Sequence, residues 1–157
     1  MTIDELLKKG LLKEVKVQRP PDGVIEAGNQ KSEAVIGHGI IKGKCHFNSI
    51  CVIGAMREKG ENDWDIVPGF AFNPKDKKPL LHVWVKKESR HYDPSWICYN
   101  WNPEDLDYYQ MIQPLEANPS ESIGDTRQRY LEWERAIHAE IMAFASHWDL
   151  KLLGYLP

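Results

Sequence analysis

Apolar positions recur at helical spacing after Cys45: Phe47, Ile50, Cys51, Ile53, Gly54 and Met56 lie along one buried face until the polar stop at Arg57-Glu58-Lys59-Gly60. The period then changes. Residues 64–72, 79–86 and 89–93 read as three strands, and in Leu81-His82-Val83-Trp84-Val85 strict alternation sets His82 and Trp84 on one face. Upstream, Thr2 can cap a short helix to about residue 9, with Asp4 and Glu5 in its first turn and Gly10 as its stop. Residues 15–39 are richer in Pro and Gly. Arg19-Pro20-Pro21-Asp22-Gly23 is a turn signal, and 24–26 and 34–36 read as short strands or extended loop. Downstream, 108–112 suggests a strand and Asn118-Pro119-Ser120 a break. A long amphipathic helix is expected over 125–148, with Tyr130, Trp133, Ile137, Ile141, Phe144 and Ala145 on one face, followed by a last strand or packed tail. No repeat or linker divides the chain, so residues 1–157 are expected to form one domain.

Composition narrows the function classes. Hydrophobic residues at 42% and charged residues at 27% are ordinary for a globular protein. A net charge of -3 argues against non-specific binding to nucleic acid or to an anionic membrane, both of which require a basic face. Lysines at 75, 77, 78, 86 and 87 are read as solvated turn residues. No segment has the form of a signal peptide or a membrane span, and three cysteines are too few and too odd for a disulfide framework. A reducing, cytoplasmic location is the resulting expectation.

Within that frame Cys45, His82 and Asp93 stand out. A thiol is a useful nucleophile as thiolate, which needs a base beside it and a third group to orient that base. Cys45 opens a helix, where exposed N–H groups and the positive end of the helix dipole favour the thiolate and offer an oxyanion hole. If Lys87 and Glu88 form a hairpin tip, His82 falls directly opposite Asp93 and Trp84 opposite His91. Cys45 would attack a carbonyl, His82 would carry the proton, and Asp93 would fix the imidazole. Asn48, Trp84 and Trp101 are the candidate substrate-binding residues, with Tyr99 beside Trp101; core packing is the rival role for Trp84. Cys51 and Cys98 read as structural. A metal site on Cys45, His46, His82, His91 and Asp93 has no supporting ligand spacing, so neither metal nor cofactor is expected.

These residues fall into four motifs in order: Cys45-His46-Phe47-Asn48, Gly69-Phe70-Ala71, His82-Val83-Trp84-Val85 and Asp93-Pro94-Ser95-Trp96. The set, which covers about a third of the chain, resembles the transglutaminase-like, papain-fold cysteine enzymes, especially small bacterial and phage domains. Gly43-Lys44-Cys45 is also similar to the entry to the nucleophile in arylamine N-acetyltransferases. The resemblance implies an α+β fold in which the Cys45 helix packs on an antiparallel sheet, with terminal helices outside. It implies acyl transfer at an amide, with a peptide, protein or small amide as partner: peptidase, deamidase or transglutaminase-like chemistry. The papain-type Gln shortly before the nucleophile is missing; Gln30 stands fifteen residues upstream, with His38 and Asn48 nearer. A degenerate papain-like domain serving as a protein-binding module is the second reading, and an N-acyltransferase the third.

Overall fold

In the computed structural model, residues 3–8, 10, 12–73, 78–99 and 102–112 are described. The expectations for 125–148 and for the tail beyond it, the lysines at 75 and 77, and Trp101 lie outside them. The described chain is mixed α and β. Its elements are α1 (Ile3–Lys8), β1 (Leu12–Val15), β2 (Val17–Gln18), α2 (Asp22–Ile36), α3 (Cys45–Glu58), β3 (Trp64–Asn73), β4 (Lys78–Lys87), β5 (Arg90–Tyr92) and β6 (Asp107–Met111), with 3-10 turns at Trp96–Cys98 and Pro103–Asp105.

The six strands form one sheet in the order β1-β6-β3-β4-β5-β2. Its outermost strands are consecutive in sequence, separated by Lys16 alone. The sheet therefore curls until both edges meet on one short segment, which pairs with β6 through Leu12–Val15 and with β5 through Val17–Gln18. Closure of this kind removes the exposed edges that an open sheet must protect. The β2–β5 pair is parallel, whereas the other neighbours are antiparallel, so the sheet is mixed rather than wholly antiparallel as expected. Pro68 sits in β3 one residue beyond the last β6 pairing, at Gly69, where a missing N–H interrupts no ladder on that side.

Two layers of core follow. One face of the sheet gives Trp64, Ile66, Val83, Val85 and Tyr92 to α2 and α3, which answer with Ala27, Ile50, Val52, Ile53, Ala55 and Met56. The inner face of the curl holds Val17, Val67, Ala71, Trp84 and Tyr108. α3 lies between α2 and the sheet, which explains why Phe47 through Ile53 are buried all round and not on one stripe only.

The region 22–36 corrects the sequence reading: it is one helix, not short strands or loop. Pro21 precedes it at φ -54, Asp22 lies in its first turn, and Gly37 ends it at φ 77 with its N–H donating to the Glu33 carbonyl at 2.8 Å. The Pro-Asp-Gly stretch that signals a turn is here a helix start, since Pro fixes a φ suited to a helix entrance and Asp complements the dipole. Val24, Ala27, Gly28 and Ser32 then point inward at spacings of three and four.

The hairpin register is a second correction. The ladder pairs Val85 with Tyr92, Lys86 with His91 and Lys87 with Arg90, so Glu88 and Ser89 form the tip and Glu88 takes φ 56. The tip has moved one residue along the chain, which displaces each cross-strand partner by two. A shift of two preserves the face of every side chain. His82 is thus not directly opposite Asp93, but remains on its side of the sheet, one diagonal away.

Candidate catalytic triad

Asp93 follows β5 and is held by the backbone before it reaches any side chain: its N–H donates to the Gln18 carbonyl at 3.1 Å. The Ser95 N–H donates to Asp93 Oδ1 at 2.9 Å, the local turn that Asp-Pro-Ser favours. Oδ2 then accepts two bonds, from His82 Nε2 at 2.8 Å and from the Tyr108 hydroxyl at 2.8 Å. Both rings and the carboxylate are essentially sealed from solvent, His82 at 1% and Asp93 at 0% exposure. The diagonal pairing is close enough for this because side chains two positions off the direct partner remain within reach of a ring.

Cys45 is the imidazole's second partner, acting on His82 beside Asp93. Cys45 is the first residue of α3 and is only partly buried. Lys44, the residue before it, makes no side-chain cap and the first turn carries no acid, so nothing there opposes the positive end of the helix dipole. Burial alone would drive His82 towards neutrality. The Asp93 charge and hydrogen bond, then the Cys45 hydrogen bond and charge, override it and raise the imidazole to about 10. The histidine is thereby kept protonated beside the Asp93 carboxylate.

Rings enclose the imidazole. Trp84 stacks near-parallel at 6.3 Å, Tyr108 lies tilted at 6.3 Å and Tyr99 stands edge-on at 6.4 Å between centroids. Gly69 faces His82 across β3 and β4. A Cβ there would lie 2.1 Å from the Tyr109 carbonyl oxygen and 2.7 Å from the Trp84 ring, so only glycine admits this packing.

The residues expected to bind substrate are placed differently. Asn48 is fully buried; its amide donates to the Ile41 carbonyl at 2.8 Å and to Ser95 Oγ at 3.0 Å, while its oxygen accepts from the Ile41 N–H at 3.1 Å. It fastens the loop before Cys45 to the turn that carries Asp93, behind the triad. Trp84 is also fully buried and donates to His91 Nδ1 at 2.9 Å. Neither presents a free polar atom outward; both position the triad. Tyr99 is half-buried, its ring edge-on to His82 and its hydroxyl hydrogen-bonded to the backbone of Gly43.

In the sequence Tyr108 reads as a strand residue and one of several aromatics that could line a cleft, and nothing short of the β3–β6 register places it on Asp93. Cys51 is fully buried and its thiol is pushed up to about 11 by desolvation, which suits a structural role. Cys98 is half-buried beside the site, donating to the Ile40 carbonyl, and burial raises its thiol too. Among the described residues no cluster of His, Cys, Asp and Glu has the make-up of a metal site, and no helix is long and apolar enough to cross a membrane. No family model, curated protein or solved structure matches the chain.

Proposed function

We propose that the protein is a thiol-dependent acyl-transfer enzyme acting at amide bonds, on a papain-like or transglutaminase-like variant of its α+β fold. The observation that carries the reading is the buried His82, hydrogen-bonded through Nε2 to Asp93 at 2.8 Å and acted on as well by Cys45 at the head of α3. A structural histidine needs one satisfied partner. A chain of thiol, imidazole and carboxylate, with the thiol alone partly open to solvent, is the arrangement that nucleophilic catalysis needs.

The steps follow from these groups. Cys45 Sγ, as thiolate, adds to the carbonyl carbon, and the carbonyl oxygen takes up negative charge. The N–H of Cys45 and its neighbours at the helix start stabilise that oxygen; with the Asn48 amide wholly committed elsewhere, the backbone is the donor that fits. As the C–N bond breaks, His82 gives its proton to the departing nitrogen, leaving a thioester on Cys45. Water or an amine then attacks the thioester, His82 takes the attacker's proton, and the thiolate leaves. Water gives hydrolysis or deamidation and an amine gives transamidation.

The test is alkylation of the native protein by iodoacetamide across pH, read by mass spectrometry, with wild type beside His82→Ala. Cys45 is expected to react at least tenfold faster than Cys51 and Cys98 near neutrality and to lose that advantage in His82→Ala. Equal reactivity at the three thiols would refute the enzyme and leave the binding-module reading.

A further inference from the structure

Two sets of cations among the described residues differ in their partners. Lys31 is paired with Glu58, and Lys87 with Glu61 and Asp63, all away from the triad. Around the thiol the pattern reverses. The Lys42 ammonium lies 5.4 Å from the Tyr99 ring centroid, and that ring stands edge-on to His82 at 6.4 Å. The Arg19 guanidinium lies 4.3 Å over Trp96, three residues from Asp93. Lys44 is exposed immediately before Cys45. Among the described residues none of the three makes an ion pair.

Carboxylates do lie at the outer margin. Glu33 of α2 comes near Gly39, while Glu104 and Asp105 occupy the 3-10 turn packed against β2. None is bonded to the three cations. Among the described residues the carboxylate nearest the thiol, Asp93, is sealed and engaged by His82, Tyr108 and Ser95. The segment from Gly37 to Arg57, which contains the nucleophile, carries Lys42, Lys44 and Arg57 without one acid. In a chain of net charge -3, Arg19, Lys42 and Lys44 thus stand on the thiol's side of the fold with no carboxylate partner among the described residues. A cation resting on an aromatic face keeps its outward side for an anion, and a rim of one sign draws in ligands of the other.

We propose that the site selects acyl donors that carry a carboxylate beside the scissile carbonyl, held by Lys42 and Lys44 with Arg19 at the outer edge. This rests on the thiol acyl-transfer reading and gives it a substrate class: acidic peptides or small carboxylate-bearing amides. Tyr99, over which Lys42 lies, forms the wall along which such a group enters.

Iodoacetate and iodoacetamide test this without knowledge of the substrate. Both are displaced by the same thiolate, forming the S–CH2 bond and releasing iodide, and they differ in one negative charge. The ratio of their rates at Cys45 is expected to fall about three- to tenfold in Lys42→Ala/Lys44→Ala, and about as much in wild type between low and molar salt. All three rim side chains are exposed, so the variants keep the core intact. A ratio unchanged within twofold in the double variant overturns the proposal while leaving the triad standing. If Cys45 reacts selectively with neither reagent, the acyl-transfer reading fails and the proposal falls with it. Anilides then separate the two sources: glutamyl over glutaminyl peptides points to acidic peptides and succinyl over butyryl to small molecules, whereas no preference in either pair overturns the selectivity.

Discussion

Two diagonal pairs lie side by side on the inner face of the β4–β5 hairpin: His82 with Asp93, and Trp84 with His91. Each joins a β4 residue to a partner two positions off its direct neighbour, and each contains a buried histidine with a hydrogen bond of 2.8 or 2.9 Å. Their charge states are opposite. His82 is raised to about 10, whereas His91 is lowered to about 4 by burial and by the nearby Lys86 and Lys13. Burial acts against the imidazolium in both, so it cannot be what separates them. The partner decides. A carboxylate beside one ring and an indole N–H with two ammonium groups beside the other send the same side chain to opposite forms. In one the ring is an imidazolium beside a thiol; in the other it is a neutral brace for the tryptophan that stacks on the first ring.

Removing the deciding partner should have the largest effect. Asp93→Asn leaves a hydrogen-bonding side chain of the same shape but no charge, so burial then governs His82 and the imidazolium is lost near neutrality. Selective alkylation of Cys45 at pH 7 is expected to fall about a hundredfold or more. Labelling within threefold of wild type would mean that Asp93 does not hold the proton on His82. The matching change in the second pair, Trp84→Phe, strands His91 Nδ1 without its donor and thins the ring packing on His82. The expected cost is about 2–4 kcal/mol of stability by urea unfolding, with Cys45 labelling still dependent on His82. A loss of reactivity with no loss of stability would reverse these assignments.

Much of this pair logic was legible before any coordinates. The alternation around His82 and Trp84 fixes their shared face, and parity brings Asp93 and His91 to that face for any tip of two or four residues. The tip itself was not legible, because Lys87-Glu88-Ser89 contains none of the Gly or Asn signals that select a turn. Glu88 adopts its positive φ under the constraint of the sheet, which wins over local preference. The helix at 22–36 was missed because Pro-Pro-Asp-Gly serves both a turn and a helix start, and only packing on α3 distinguishes them. Asn48 reads as a substrate-binding residue because it stands in the Cys45 motif and is a substitute for the missing Gln. Its burial depends on Ile41 and Ser95, which come from two other segments and leave no periodic trace. Closure of the sheet by the segment from Leu12 to Gln18 has the same character: strands of four and two residues are too short to announce themselves.

Titration sharpens the comparison further, because the two histidines give stability slopes of opposite sign. His82 binds its proton more tightly folded than unfolded, so its contribution is complete below the ordinary histidine range and is lost as pH rises towards about 10. His91 resists protonation when folded, so its contribution is complete above that range and is lost as pH falls towards about 4. Each can tilt the unfolding free energy by at most about 1.4 kcal/mol per pH unit. Urea unfolding against pH should therefore show a summit between the two limbs. His91→Gln should flatten the acid limb and spare the alkaline one; an unchanged acid limb in that variant would remove His91 from the account.

The smallest effect tests the finest distinction, between holding Asp93 in place and setting how strongly it holds His82. Tyr108→Phe removes only a hydroxyl and keeps the ring that meets Trp84 edge-on at 5.1 Å. As a structural bond, its loss costs about 0.5–1.5 kcal/mol of stability and nothing else. The geometry argues for more, because the hydroxyl and His82 Nε2 share one oxygen, Oδ2. Two donors on one oxygen divide its charge. With Tyr108 silent, Oδ2 attends to His82 alone, the imidazolium is held more tightly, and the alkaline limit of the Cys45–His82 pair moves to higher pH by about half a unit. The iodoacetamide pH profile of Tyr108→Phe reads that shift directly. A purely structural tyrosine would lower the unfolding midpoint and leave the profile where it was, whereas a shift to lower pH would mean that Asp93 swings away from His82 once its second anchor is gone.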